Sequence, residues 1–103
     1  KILETFIFSK LLKANSYDQS RVNLYYYRKT DKKEIDFILE YSNKIIALEI
    51  KASKTVKKDD FKHIYKLKEE INKKFDKGIV LYMGDTFLEI DENMYAVPIG
   101  FLR

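Results

Sequence analysis

Cysteine is absent from the chain, which excludes disulfides, thiolate metal sites and a cysteine nucleophile. The lack of disulfides fits a reducing compartment, and a cytoplasmic location is the expectation. No apolar run approaches the roughly 18 residues that a membrane span needs. No signal-peptide pattern opens the sequence. Proline occurs once, at Pro98, and histidine once, at His63. The first residue is Lys1 rather than Met, and it leads directly into helical periodicity, so the chain reads as a piece of a longer protein. What remains is 103 residues with 46% hydrophobic and 15% aromatic side chains. That is enough for a single domain with a modest core, and it argues against disorder.

The net charge of +4 is unevenly placed. Lys51 to Lys77 holds ten lysines against five acids, while the rest of the chain nets −1. A local basic excess is what a surface facing nucleic acid needs. A solvated lysine-rich helix would look the same on charge alone.

Periodicity divides the chain into elements. Ile2, Leu3, Phe6, Ile7 and Leu11 recur at helical spacing, so residues 2–14 read as an amphipathic helix. Asn15 to Ser20 is a polar loop, and tyrosine-rich Val22 to Arg28 reads as a strand. Thr30 to Lys33 is a turn. Glu34 to Tyr41 alternates strictly, as a half-buried strand does. Lys44 to Ala52 follows the short Ser42-Asn43 turn. Lys57 to Phe75 reads as a helix whose inner face carries Phe61, Ile64, Leu67, Ile71 and Phe75, with Asp59 and Asp60 near its start and Lys73 and Lys74 near its end. The unbroken apolar run Ile79 to Met83 predicts a strand covered on both faces. Thr86 to Ile90 and Met94 to Val97 are further strands, the last stopped by Pro98. The order is α-β-β-β-α-β-β-β. The crossover from Lys44–Ala52 through the helix to Ile79–Met83 makes those two strands parallel. The earlier strands, joined by short turns, are antiparallel. An α/β domain with a mixed sheet follows.

Strand register then places the chemistry. A two-residue hairpin turn at Ser42-Asn43 pairs Tyr41 with Lys44. Counting outward, Leu39 meets Ile46, Phe37 meets Leu48 and Ile35 meets Ile50, an all-apolar face. A slip by one residue would put charges there instead. On the other face the count sets Ile38 opposite Ala47, Asp36 opposite Glu49 and Glu34 opposite Lys51. Opposed side chains lie about 4.5–5.5 Å apart at Cβ. Two carboxylates that close need a proton, a basic neighbour or a cation between them. Lys51 shares the face with Glu49 because it is two residues further along the strand. Carboxylates and a lysine on one sheet face suit phosphodiester hydrolysis with a hard divalent cation, Mg²⁺ or Mn²⁺. The alternative is an ordinary ion cluster, with Asp36–Lys51 and Glu49–Lys51 as surface pairs.

The sequence E-I-D-F (Glu34 to Phe37), with twelve residues separating Asp36 from the start of E-I-K-A-S (Glu49 to Ser53), resembles the motif of the PD-(D/E)xK nuclease superfamily. More narrowly, the chain is similar to a domain of unknown function found C-terminal to the ATPase module in a family of prokaryotic AAA-type ATPases. The matching segments are Leu3 to Ile7, Leu24 to Arg28, the two motifs above, Lys77 to Asp85 and Tyr95 to Ile99. The resemblance implies a restriction-endonuclease-like mixed sheet flanked by helices. It implies Asp36 and Glu49 as metal ligands helped by the backbone carbonyl of Ile50, Lys51 as the catalytic lysine, and Glu4 as a fourth site residue. Ile35 stands where the namesake proline would be, and no Walker motif is present, so an ATPase module would lie outside this sequence. The expected partners are DNA and that ATPase module, with a homodimer left open. The rival expectation is a module that keeps the fold without the chemistry and serves protein contacts.

Other residues carry two readings each. Tyr25, Tyr26 and Tyr27 suit strand packing or base stacking. Arg28 and Lys54 flank the site and could meet phosphate. Lys58, Lys62 and Lys66 form an i, i+4 stripe that is solvated unless it borders the site. His63, beside the helix's inner stripe, reads as a surface residue more readily than as a functional one.

Overall fold

The computed structural model describes residues 22–26 and 35–102. The expected first helix with Glu4, the loops on either side of Val22–Tyr26 with Tyr27 and Arg28, and Glu34 lie outside the described residues. Among the described residues, six strands form one mixed sheet: β1 (Val22–Tyr26), β2 (Phe37–Tyr41), β3 (Lys44–Ile50), β4 (Phe75–Tyr82), β5 (Leu88–Asp91) and β6 (Met94–Pro98). They lie in the order β1-β2-β3-β4-β6-β5. The α-helix α1 (Lys62–Ile71) joins β3 to β4, preceded by a 3₁₀ turn at Lys58–Phe61 and followed by another at Asn72–Lys74.

The hairpin register is the one the apolar pattern demands. Tyr41 pairs with Lys44, Leu39 with Ile46 and Phe37 with Leu48, while Ile38 faces Ala47. Ser42 and Asn43 both take positive φ, 51° and 63°. That is the two-residue turn whose twist matches its strands. The β3–β4 pair is parallel, as a helical crossover requires, and β4 pairs in parallel with β6. β4 is central, and Val80, Leu81 and Tyr82 are all buried, alternating between two apolar clusters. On the helix side, Ile38, Ala47, Val80, Met94 and Ala96 pack with Phe61 and Ile64, both fully buried. On the other side lie Phe37, Leu39, Ile46, Leu48 and Leu81.

Three boundaries differ from the periodic reading. The helix stops at Ile71 because Asn72 adopts φ 55° and ψ −108°, a positive-φ backbone that cannot continue the helix and that asparagine tolerates better than most residues. Phe75, expected on the helix's inner face, instead opens β4 and reaches the same core from the sheet. β5 starts at Leu88 rather than Thr86, because the Tyr82 hydroxyl donates to the Thr86 carbonyl and holds that stretch in a loop.

A fourth difference bears on function. β2 begins at Phe37, not Glu34. Asp36 sits in a bend, and its N–H donates to the Leu48 carbonyl at 3.1 Å, one residue out of the hairpin register. Its carboxylate Oδ2 accepts the Ile50 N–H at 2.7 Å. A short acidic side chain has thus taken over a backbone partner, which is how Asp interrupts regular ladders. Ile35, expected opposite Ile50, turns to the helix side and joins the Ile38 cluster.

Candidate functional site at the C-terminal end of β3

Ligand sites in open α/β sheets gather where parallel strands end and their crossovers begin. Here the chain leaves β3 at Ile50, crosses Lys51–Lys57 and enters the turn that leads into α1. The Lys51 N–H donates to the Leu81 carbonyl at 2.8 Å, so Lys51 is still held against β4. Glu49 shares the face of Ala47 and therefore points to the helix side.

The bend removes Asp36 from the ladder but not from the neighbourhood of Glu49. Its carboxylate binds the amide next to Glu49 in the chain, and it is buried. Burial first, then the negative charges of Asp36 and Asp60, push the Glu49 carboxyl up to about 7, against a smaller opposing effect of Lys62. Glu49 Oε1 is buried and has no hydrogen-bond partner among the described residues. Among the described residues, His63 Nδ1 lies 3.7 Å away, too far for a hydrogen bond and an ion pair only when the imidazole is protonated.

Lys51 pairs with neither Asp36 nor Glu49. Its ammonium lies 2.5 Å from Asp60 Oδ2, with the side chains 30% and 22% exposed. The same oxygen accepts the Lys57 N–H at 2.7 Å, and the Asp60 N–H returns to the Lys57 carbonyl at 3.0 Å. This reciprocal bonding caps the 3₁₀ turn before α1. Burial alone would raise the Asp60 carboxyl. The Lys51 and Lys57 hydrogen bonds and both lysine charges outweigh it and hold Asp60 below the usual carboxylate range.

Asp60 and His63 are the site residues that sequence reasoning passed over. Asp60 was legible only as a helix-start acid and His63 only as a surface residue. Two signals could have found them. The β-α-β crossover returns the helix start to the end of β3, and positions three apart on a helix share a face.

The flanking lysines are spread across the neighbouring surface. Lys54, Lys58, Lys62 and Lys66 are exposed. Lys58, Lys62 and Lys66 line a shallow groove of about 500 Å³ with Asp59, Tyr65 and Glu69. Lys58 also lies 3.6 Å from Asp91, which accepts the Tyr65 hydroxyl at 2.5 Å and so ties the helix to β5.

The model of a domain of unknown function, DUF4143, matches residues 1–102. The chain belongs to the DUF4143 family. No curated protein and no solved structure matches it. Among the described residues, no group of three or more His, Cys, Asp or Glu side chains is arranged to hold a metal ion. Among the described residues of this DUF4143 domain, the carboxylates gathered at the end of β3 that could meet a cation are Asp36 and Glu49, the latter with a buried oxygen that has no described partner. That fits Mg²⁺, which takes one or two carboxylates and keeps several waters, better than a metal that needs a full protein cage.

The raised Glu49 carboxyl has a consequence for stability. Its folded value lies above the ordinary 4.5, so the folded state holds the proton more tightly than the unfolded chain. The favourable contribution is complete below about 4.5 and is lost as pH rises through about 7. Glu49→Gln, which mimics the protonated form, is expected to melt higher than the parent at about pH 8 and close to it at about pH 4. Calorimetric melts across that range check this, and parallel profiles for the two proteins would refute it.

Proposed function

We propose that this domain is a metal-dependent, nuclease-like module acting on DNA, with a restriction-endonuclease-like sheet, appended to an ATPase module. The observation that carries the reading is the buried Glu49 Oε1, without a partner among the described residues, near Asp36, with Lys51 just past the end of the same strand. A buried acceptor without a partner is costly, and a cation is one of the few groups that would relieve it between two carboxylates. Asp36, Glu49 and the Ile50 carbonyl are the groups that would hold Mg²⁺ or Mn²⁺. The bound ion would supply a water of lowered pKa and neutralise charge on the phosphate. Lys51 would steady the charge that builds on the phosphate oxygens in the transition state. Lys54, Lys58, Lys62 and Lys66 would contact the nucleic-acid backbone, a sequence-independent attraction that weakens with salt.

The alternative is a nuclease-fold module without catalysis that serves protein contacts of the ATPase. The Lys51–Asp60 pair favours it, since the lysine already has a carboxylate partner.

Metal titration separates the two readings. A cation that binds only the folded state raises the melting temperature by mass action. Saturating Mg²⁺ is expected to do so for the parent and not for Asp36→Asn, whose amide oxygen can still accept the Ile50 N–H. Cleavage assays on single-stranded, duplex and branched DNA then follow. A variant that responds to Mg²⁺ as the parent does would remove Asp36 from the ligand set.

A further inference from the structure

Asp60 contacts the site through Lys51 while being anchored to something else. One oxygen, Oδ2, receives both the Lys51 ammonium at 2.5 Å and the Lys57 N–H at 2.7 Å. Those donors stand at the two ends of the loop that follows β3. Between them, the Ser53 N–H donates to the Lys51 carbonyl at 2.9 Å and the Met83 N–H to the Ser53 carbonyl at 2.8 Å. The loop is thus pinned at its start, its middle and its end. The carboxylate is fixed by the turn's own hydrogen bonds whether or not Lys51 is present. The ammonium, at the end of a flexible four-carbon stem, is the movable partner.

We propose that Asp60 is a positioning residue that latches Lys51, and that a phosphodiester oxyanion takes over the ammonium from Asp60 when nucleic acid binds. The exchange half of this rests on the nucleic-acid reading above. The latch half does not. One positive charge serves two anions in turn. Asp60 holds Lys51 at the C-terminal end of β3 while no phosphate is present, and it gives the loop a defined shape for the phosphate to meet. The ammonium has three donors, so contact with an incoming oxyanion can form before the Asp60 contact breaks. A chain with Asp60 neutralised would hold Lys51 loosely and bind a phosphodiester more tightly, because the competing anion is gone.

The test compares Asp60→Asn with Asp59→Asn, a neighbouring exposed carboxylate whose loss changes the net charge equally. Asparagine at 60 can still accept the Lys57 N–H, so the cap survives. The first readout is the rate at which a small amine-acylating reagent modifies Lys51, mapped by mass spectrometry against exposed Lys54 in the same molecule. In the parent, Lys51 is expected to react several-fold more slowly than Lys54. Asp60→Asn should remove that protection, and Asp59→Asn should keep it. The parent measurement alone decides the latch if the variant does not fold: Lys51 reacting as fast as Lys54 overturns it. Equal Lys51 rates in Asp60→Asn and Asp59→Asn overturn it too. The second readout adds a short duplex DNA in the presence of a chelator. Asp60→Asn is expected to bind on the order of threefold to fivefold more tightly than Asp59→Asn, the scale of one ion pair near a protein surface. That gain should vanish when Lys51→Ala is introduced in both. A gain that persists without Lys51 overturns the exchange. A protected Lys51 in a protein that binds no DNA leaves the latch standing and removes the nucleic-acid reading.

Discussion

Lys51→Ala is expected to lower Mg²⁺-dependent DNA cleavage by roughly 10²–10³-fold, the loss seen when one preorganised electrostatic donor is removed from a reacting centre. On the proposed nuclease reading the effect would fall on the chemical step, since the ammonium would act where charge builds on the phosphate. DNA affinity should change little, as one backbone contact among several is lost. The same substitution leaves Asp60 without its cation. The pair is partly exposed, so its loss should cost about 1 kcal/mol or less. The two readings of the domain diverge on this pair of measurements. A parent that cleaves and a variant that does not, at nearly equal melting temperature, supports the enzyme. A parent that cleaves no form of DNA, with a variant that only melts lower, leaves Lys51 as the counter-ion of Asp60 and ends the nuclease claim for this domain.

Gly78→Ala carries the largest expected effect on stability. Gly78 lies on the helix side of β4, where α1 crosses the sheet. A Cβ there would stand 2.3 Å from Ile64 Cγ2 and 2.8 Å from Met94 Sδ. Neither neighbour has room to retreat, because Ile64 and Met94 are both fully buried. Overpacking of this kind costs about 1–3 kcal/mol. In a domain of roughly 100 residues each kcal/mol lowers the melting temperature by about 4–8 °C. Ile64→Ala removes the methyl that clashes, so the double variant should be less destabilised than the two single costs added together. Additive costs, or a Gly78→Ala protein that melts with the parent, would show that the helix does not sit where the structure has it. The substitution also reaches the site. Pushing α1 outward moves Asp60 and His63 away from Lys51 and Glu49, so stability and the charge cluster should fail together.

The sequence made the central sheet legible because its signals there agree. Turn chemistry at Ser42-Asn43, the apolar face of Phe37, Leu39, Ile46 and Leu48, and the crossover helix all demand the same register, and the strands pair accordingly. Alternation failed where a single side chain overruled it. The Asp36 carboxylate captures the Ile50 amide and bends the chain, and nothing in a pattern of apolar and polar letters distinguishes that aspartate from one that simply points to solvent. Asn72 ended the helix early by adopting a backbone conformation that the inner stripe through Phe75 does not report. The Lys51–Asp60 pair was hidden for a different reason. It joins residues nine apart across an irregular loop, where no period applies.

The bend at Asp36 also sets what the chain can tolerate in the course of divergence. Upstream of it the alternation is broken, since Ile35 already faces the side opposite to the one that strict counting assigns. Downstream, the ladder is fixed from Phe37 onward by its own turn and its own partners in β3. An insertion or deletion before the bend would therefore not turn β2 inside out. The same change between Phe37 and Leu48 would exchange the two faces of a buried strand. Chain length upstream of this aspartate does not set the faces of β2, whereas the spacing from it to Glu49 is set by the geometry of the sheet.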